Sequence, residues 1–188
     1  MSIAEAIEKI RTSLDRVSAE LDPWFEKSPA LLDYRPERGW NAAQILEHVS
    51  LTNHFLLILI RKGTRKALER AERDGLPKDP GALTVDLERL DLIASHRSFR
   101  WERPAHMEPA GEKSMDEVRV LLHEQFGDCS ACLEQLKNGE GTLYTTMMSV
   151  GGLGKIDVYQ YLYFLCLHAE RHLGQLQRVE AEYLASAG

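Results

Sequence analysis

The sequence predicts an all-α fold, a four-helix bundle with one long crossover between its second and third helices. Four stretches carry apolar residues at helical spacing, at about 3–22, 41–72, 114–138 and 156–184. None of them shows the period-two alternation of a half-buried strand. Between the second and third, Asp74 to Lys113 is broken by Gly75, Pro77, Pro80, Gly81, Pro104, Pro109 and Gly111. A tight hairpin needs only a few residues, whereas a segment this long can carry the chain back across a bundle. Helices two and three are therefore expected to run parallel. The length, 188 residues, fits a single domain over 1–188 with a substantial core.

Ile3, Ile7, Ile10, Leu14, Val17 and Leu21 alternate spacings of four and three, the seam of an amphipathic first helix that ends near Pro23. Trp24 and Phe25 are expected to cover the core beyond it. The second helix opens on Asn41, a good N-cap, with Gln44 three residues on to complete a reciprocal cap. Ile45, His48, Thr52, Phe55 and Leu59 form its expected buried stripe. Within the crossover, Leu87, Leu90, Ile93 and Ala94 suit a short helix. Ser114 and Glu117 make a capping box for the third helix, whose seam holds Met115, Val118, Leu122, Cys129, Cys132 and Leu136. Residues 139–154, rich in glycine and threonine, read as a loop. The fourth helix would be on the order of 45 Å long.

Composition narrows function. Basic residues number 23 against 29 acidic, a net charge of −6, which argues against nonspecific nucleic-acid binding and against a basic membrane-surface role. The first residues lack a basic segment followed by an apolar one, so no signal peptide is expected. The apolar runs Phe55–Ile60 and Tyr161–Leu167 are short for a bilayer span. Three cysteines, Cys129, Cys132 and Cys166, read as reduced thiols, and the expected location is cytoplasmic.

The chemistry concentrates in the fourth helix. Leu165, Leu176 and Val179 mark its apolar stripe, and His168 and His172 stand on the same stripe, four residues apart. Side chains at i and i+4 lie one turn apart on one face, so two imidazoles there can share a metal ion. His48 faces inward from the second helix and can supply a third ligand. Three neutral imidazoles leave coordination positions open for water or substrate, the arrangement of catalytic rather than purely structural sites. The residues alone leave two readings open, metal ligands or satisfied core histidines. His54 and His123 fall off the seams and are expected at the surface. His96 and His106 lie in the crossover, where either could reach the site.

Other polar residues carry less. Glu47 and Glu170 adjoin ligands in sequence, but a neighbour on a helix points about 100° away, so both are expected as surface charges. Thr52, Tyr163 and Gln175 are candidates to support the ligands. Arg171 suits a solvated helix face, or an anionic substrate. Cys129-Ser130-Ala131-Cys132 has redox-motif spacing, but both cysteines sit on a helical seam and read as buried small apolar groups, and Cys166 reads as packing. Gly151-Gly152-Leu153-Gly154 lacks the preceding strand and the lysine ending of a phosphate loop.

Two motifs resemble a known family. Trp40-Asn41-Ala42-Ala43-Gln44-Ile45-Leu46-Glu47-His48 looks like the opening of helix two in the DinB/YfiT-like metalloenzymes. His168-Ala169-Glu170-Arg171-His172-Leu173-Gly174-Gln175-Leu176 looks like that family's helix-four motif. The resemblance implies an up-down-down-up bundle with His48, His168 and His172 as metal ligands, nickel or zinc as the metal, and a homodimer. It also implies a small-molecule substrate, with low-molecular-weight thiols used by some relatives and a stress-related role by others. The apolar surplus of Tyr159, Tyr161, Tyr163, Phe164 and Leu167 would suit a paired last helix. Three functions follow as alternatives: a metal-dependent thiol transferase or hydrolase, a stress-related metal-binding bundle without turnover, and a dimerisation module with no metal. No general base in register with the three histidines is evident.

Overall fold

The computed structural model describes residues 1–77, 83–94, 107–148 and 150–186. Its backbone is mostly helical. In chain order it has α1 (Ile3–Leu21), α2 (Pro29–Leu32), α3 (Ala42–Asp74), α4 (Met115–Glu134) and α5 (Val158–Ser186), with two short strands, β1 (Thr145–Met148) and β2 (Gly154–Asp157). The 3-10 turns Asp22–Glu26, Glu88–Ala94, Glu140–Leu143 and Val150–Gly152 join them.

Each long helix starts where its capping chemistry places it. Ser2 and Glu5 cap α1, Asn41 and Gln44 cap α3, and Ser114 and Glu117 cap α4, each by a reciprocal side-chain-to-backbone pair. At α3, Asn41 Oδ1 accepts from the Gln44 amide at 2.8 Å, and Gln44 Oε1 accepts from the Asn41 amide at 3.1 Å. Gly75, at φ 76°, ends α3 in a backbone conformation that side chains with a Cβ rarely adopt.

The contacts between helices give their relative directions. Arg16 pairs with Glu170 at 2.6 Å and Lys27 with Glu180 at 2.6 Å, so α1 and α5 run alongside in the same sense. Gln125 donates to the Ser50 carbonyl at 2.9 Å, and Arg61 pairs with Asp128, so α3 and α4 also share a sense. Arg11 reaches Glu134 at 2.7 Å while Arg119 reaches Asp22 at 2.8 Å, which sets α1 against α4 in opposite senses. His48 meets His168 and His172, and Gly63 faces Val158, so α3 and α5 are antiparallel. A Cβ on Gly63 would lie 3.0 Å from Val158 Cγ2, a measure of how closely the start of α5 approaches α3.

The core follows these contacts. Ile7, Ile10, Leu14, Val17 and Leu21 of α1 are buried as their seam requires. Each such side chain contributes roughly 1.5–3 kcal/mol when fully buried. In α3 the expected stripe holds only in part. Ile45, His48 and Thr52 are buried, but Phe55 is half-buried and Leu59 is 37% exposed. Burial passes instead to Leu56, Leu57, Ile60, Thr64 and Ala67. The reason is that α3 packs against both α4 and α5, on a face wider than one stripe. This is the helix among the described residues long and apolar enough to cross a membrane, and most of its apolar stretch is buried inside the protein.

Residues 139–154, expected as a loop, contain instead a 3-10 turn and most of an antiparallel hairpin. Thr145 pairs with Asp157, Thr146 with Ile156, Met147 with Lys155, and Met148 with Gly154. Met148 and Ile156 face inward and Met147 outward. The Tyr161 hydroxyl donates to the Met147 carbonyl at 3.0 Å and ties the hairpin to α5. α5 therefore begins at Val158, two residues later than expected, because Ile156 belongs to β2. α4 ends at Glu134, short of the expected 138, although Leu136 remains buried beyond it.

Among the described residues, two parts of the crossover join the body away from the histidines. Val85 exchanges backbone hydrogen bonds with Met1, at 3.0 and 3.1 Å. The turn Glu88–Ala94, foreseen as a short helix, buries Leu90 and Ile93 against α5, where Tyr163 donates to Asp91 at 2.8 Å. The surplus apolar face of α5 is thereby accounted for within one chain. Tyr159, Tyr161, Tyr163, Phe164 and Leu167 are all buried.

Candidate metal centre

His168 and His172 stand one turn apart on α5, and His48 faces them from the second turn of α3. All three side chains are buried. The His168 and His172 rings lie 4.5 Å apart by centroid, with His48 at 5.3 and 4.7 Å from them. Among the described residues, these three are the group of His, Cys, Asp or Glu whose donor atoms come near enough to hold one metal ion, all within 4.8 Å of one another. The nearest pair, His168 Nε2 and His172 Nε2, are 3.1 Å apart. Two nitrogens that share an ion at about 2.0–2.1 Å lie at most about 4.2 Å apart, so this pair is already within range.

The far sides of two rings fix which nitrogen faces the centre. His48 Nδ1 lies 2.7 Å from the Met107 carbonyl, which can only accept, so Nδ1 carries the proton. In the neutral ring the lone pair is then on Nε2. His172 Nδ1 lies 2.8 Å from Gln175 Oε1, again an acceptor, and its Nε2 is likewise left with the lone pair facing His168. Gln175, one of the candidate supporting residues, therefore bonds the outer nitrogen of His172. Thr52 reaches the sulfur of Met107 at 4.0 Å, one turn beyond His48. Tyr163 does not join the site: its hydroxyl is engaged by Asp91. The indole of Trp40 lies against the His48 ring at 4.8 Å.

The electrostatics favour neutral imidazole. Burial, and after it the proximity of His172, His48 and Arg171, holds His168 well below the usual histidine range. Protonation there would place a cation inside the protein beside the Arg171 guanidinium. A neutral, buried imidazole is the form in which histidine binds a divalent metal.

Two charged residues depart from expectation. Glu47 is not a surface charge: it is 3% exposed, and its Oε2 accepts from the Gly111 amide at 2.8 Å. Arg171 is not on a solvated face either; it is buried, which lowers its pKa, with Arg178 adding to the effect. Glu170 is partly exposed and paired with Arg16. His54 is exposed, and exposed His123 pairs with Asp22 at 2.9 Å, both at the surface as expected. His96 and His106 lie outside the described residues. The three cysteines are free and buried, and burial raises all three thiols, so none has the character of a reactive thiolate.

The chain matches the model of the DinB superfamily over residues 2–176. It belongs to that superfamily. No curated protein and no solved structure matches it.

Proposed function

We propose that this member of the DinB superfamily holds one divalent metal ion, nickel or zinc, through His48, His168 and His172, and uses it on a small molecule in the manner of a thiol transferase or hydrolase. The order of the helix contacts supports the matching architecture, an up-down-down-up four-helix bundle. One observation carries the metal reading: three buried imidazoles from two helices bring their donor atoms within 4.8 Å of each other. Such an ion would supply Lewis acidity, lowering the pKa of a bound water or thiol towards neutrality.

The chain's own residues do the positioning. The Met107 carbonyl and the Gln175 amide hold protons on the outer nitrogens of His48 and His172, which keeps the inner nitrogens available. α3 and α5 bury the three rings between them, and Trp40 covers one flank of His48. The test is a screen of thiol consumption against a panel of electrophiles, with and without added zinc or nickel. Metal-dependent turnover that disappears in His168→Ala supports an enzyme.

A second reading, metal binding without turnover, has one observation in its favour. Among the described residues no carboxyl group joins the histidine cluster, and the nearest in sequence, Glu47, is turned to Gly111. Metal bound stoichiometrically with no turnover in the screen would favour it. A homodimer stays part of the proposal. It rests on Ile58 and Leu59 of α3, 48% and 37% exposed, rather than on α5. A monomeric mass by light scattering at micromolar concentration would remove it.

A further inference from the structure

We infer that Glu47 is a positioning residue for the centre: by gripping the Gly111 amide it seats residues 107–111 so that the Met107 carbonyl holds His48 in its Nδ1-protonated form. The inference rests on the metal reading of His48 but concerns residues that reading does not use.

Three contacts converge on this short strap. His48 Nδ1 donates to the Met107 carbonyl at 2.7 Å, Thr52 reaches the Met107 sulfur at 4.0 Å, and Gly111 donates its amide to Glu47 Oε2 at 2.8 Å. Glu47 and His48 are consecutive on α3, so one helical turn grips both ends of the strap. The carboxyl group lies beneath the strap, almost wholly buried, while Gly111 itself is exposed. Such a carboxyl group has no solvent to satisfy it, and the Gly111 amide supplies a donor that water would otherwise supply. Gly111 is suited to present it. Its φ is 70°, a conformation unfavourable to residues with a Cβ, while a Cβ there would meet nothing within 4 Å. Backbone conformation, not space, is what selects glycine.

The consequence for His48 is directional. A backbone carbonyl fixes a ring only while the backbone is fixed, and between the crossover and α3 the Glu47–Gly111 bond is the partner of the Met107–His48 bond. Releasing it lets the Met107 carbonyl drift, and the His48 ring can then exchange tautomers or turn. Ligand-supporting contacts of this kind typically change metal affinity by about 10–100-fold.

The experiment compares wild type with Glu47→Ala, Glu47→Gln and Gly111→Ala, each full-length. Long-range proton–nitrogen NMR of metal-free protein reads the His48 tautomer, and competition with a chromophoric chelator reads the zinc Kd. Expected are an Nδ1-protonated His48 in wild type, a mixed tautomer with a Kd raised about tenfold in Glu47→Ala, and the same direction in Gly111→Ala. Glu47→Gln, whose amide oxygen still accepts from Gly111, should restore both. An unchanged His48 spectrum and Kd in Glu47→Ala overturns the inference, as does a Glu47→Gln variant as impaired as the alanine. If Glu47→Ala does not fold, the Gly111→Ala comparison decides by the same two readings. If wild type binds no zinc, the metal reading fails, and the tautomer comparison still decides the role of Glu47.

Discussion

The Nε2 atoms of His168 and His172 face each other across 3.1 Å inside the protein. The pair is a product of helical geometry: positions i and i+4 on one face, with His172 swung into place by its outer bond to Gln175. An apolar core would place leucines there. The chain instead places two imidazoles, and turns His48 of another helix towards them.

The bond from His172 to Gln175 has a direct test. Gln175→Ala removes the acceptor for Nδ1–H, so the zinc Kd should rise by about tenfold, while Gln175→Glu, which accepts more strongly, should keep affinity at or above wild type. Chelator competition measures both. Equal affinities in all three proteins would mean that the contact does not orient the ring.

Asp157 predicts a pH dependence of stability. It caps α5 by accepting from the Gln160 amide at 2.9 Å, but burial pushes its carboxyl up to about 6 from 3.8. The folded state thus binds this proton more tightly than the unfolded chain. The stability so gained is complete below about pH 4 and is lost as pH rises through about 6. Asp157→Asn keeps an acceptor and never ionises. It should be more stable than wild type at pH 7.5 by on the order of 1–3 kcal/mol, with the gap closing towards pH 4. Urea titrations at pH 4, 5, 6 and 7.5 measure it, and a wild type that gains on the variant as pH rises would refute it.

Gly141 supports the turn under Tyr159. A Cβ at this position would lie 2.6 Å from the Tyr159 ring, which is fully buried with its hydroxyl bonded to the Leu136 carbonyl. The ring cannot retreat without losing that bond. Gly141→Ala should therefore destabilise by about 1–3 kcal/mol, seen as a lower urea midpoint at unchanged slope. An unaltered midpoint would show that the turn shifts freely.

Much of the helical frame is legible in the sequence because caps and seams are local. Asn41–Gln44 and Ser114–Glu117 mark their helix starts within a residue, and the α1 seam names its buried face correctly. In α3, Phe55 to Ile60 is apolar all round, so spacing alone could not choose between Leu59 and Ile60. The strands have four residues each, too few for periodicity, and only the threonines of β1 hinted at them. The α5 aromatics looked like a surplus because the elements that cover them, the hairpin and the Glu88–Ala94 turn, were themselves weak in the sequence. For Glu47 the geometric rule was sound: it points away from the histidine centre. What no local rule contains is that the crossover lies in that direction, so away from the centre is not towards water. Arg171 is likewise buried, which its charge and spacing alone do not announce.

The most direct measurement is the metal content of untagged protein, by elemental analysis of wild type and His168→Ala purified side by side. The account predicts about one divalent ion per wild-type chain and far less than one in the variant, with the helical circular dichroism of the two the same. A wild-type protein without stoichiometric metal, both as purified and after dialysis against zinc or nickel, would contradict it.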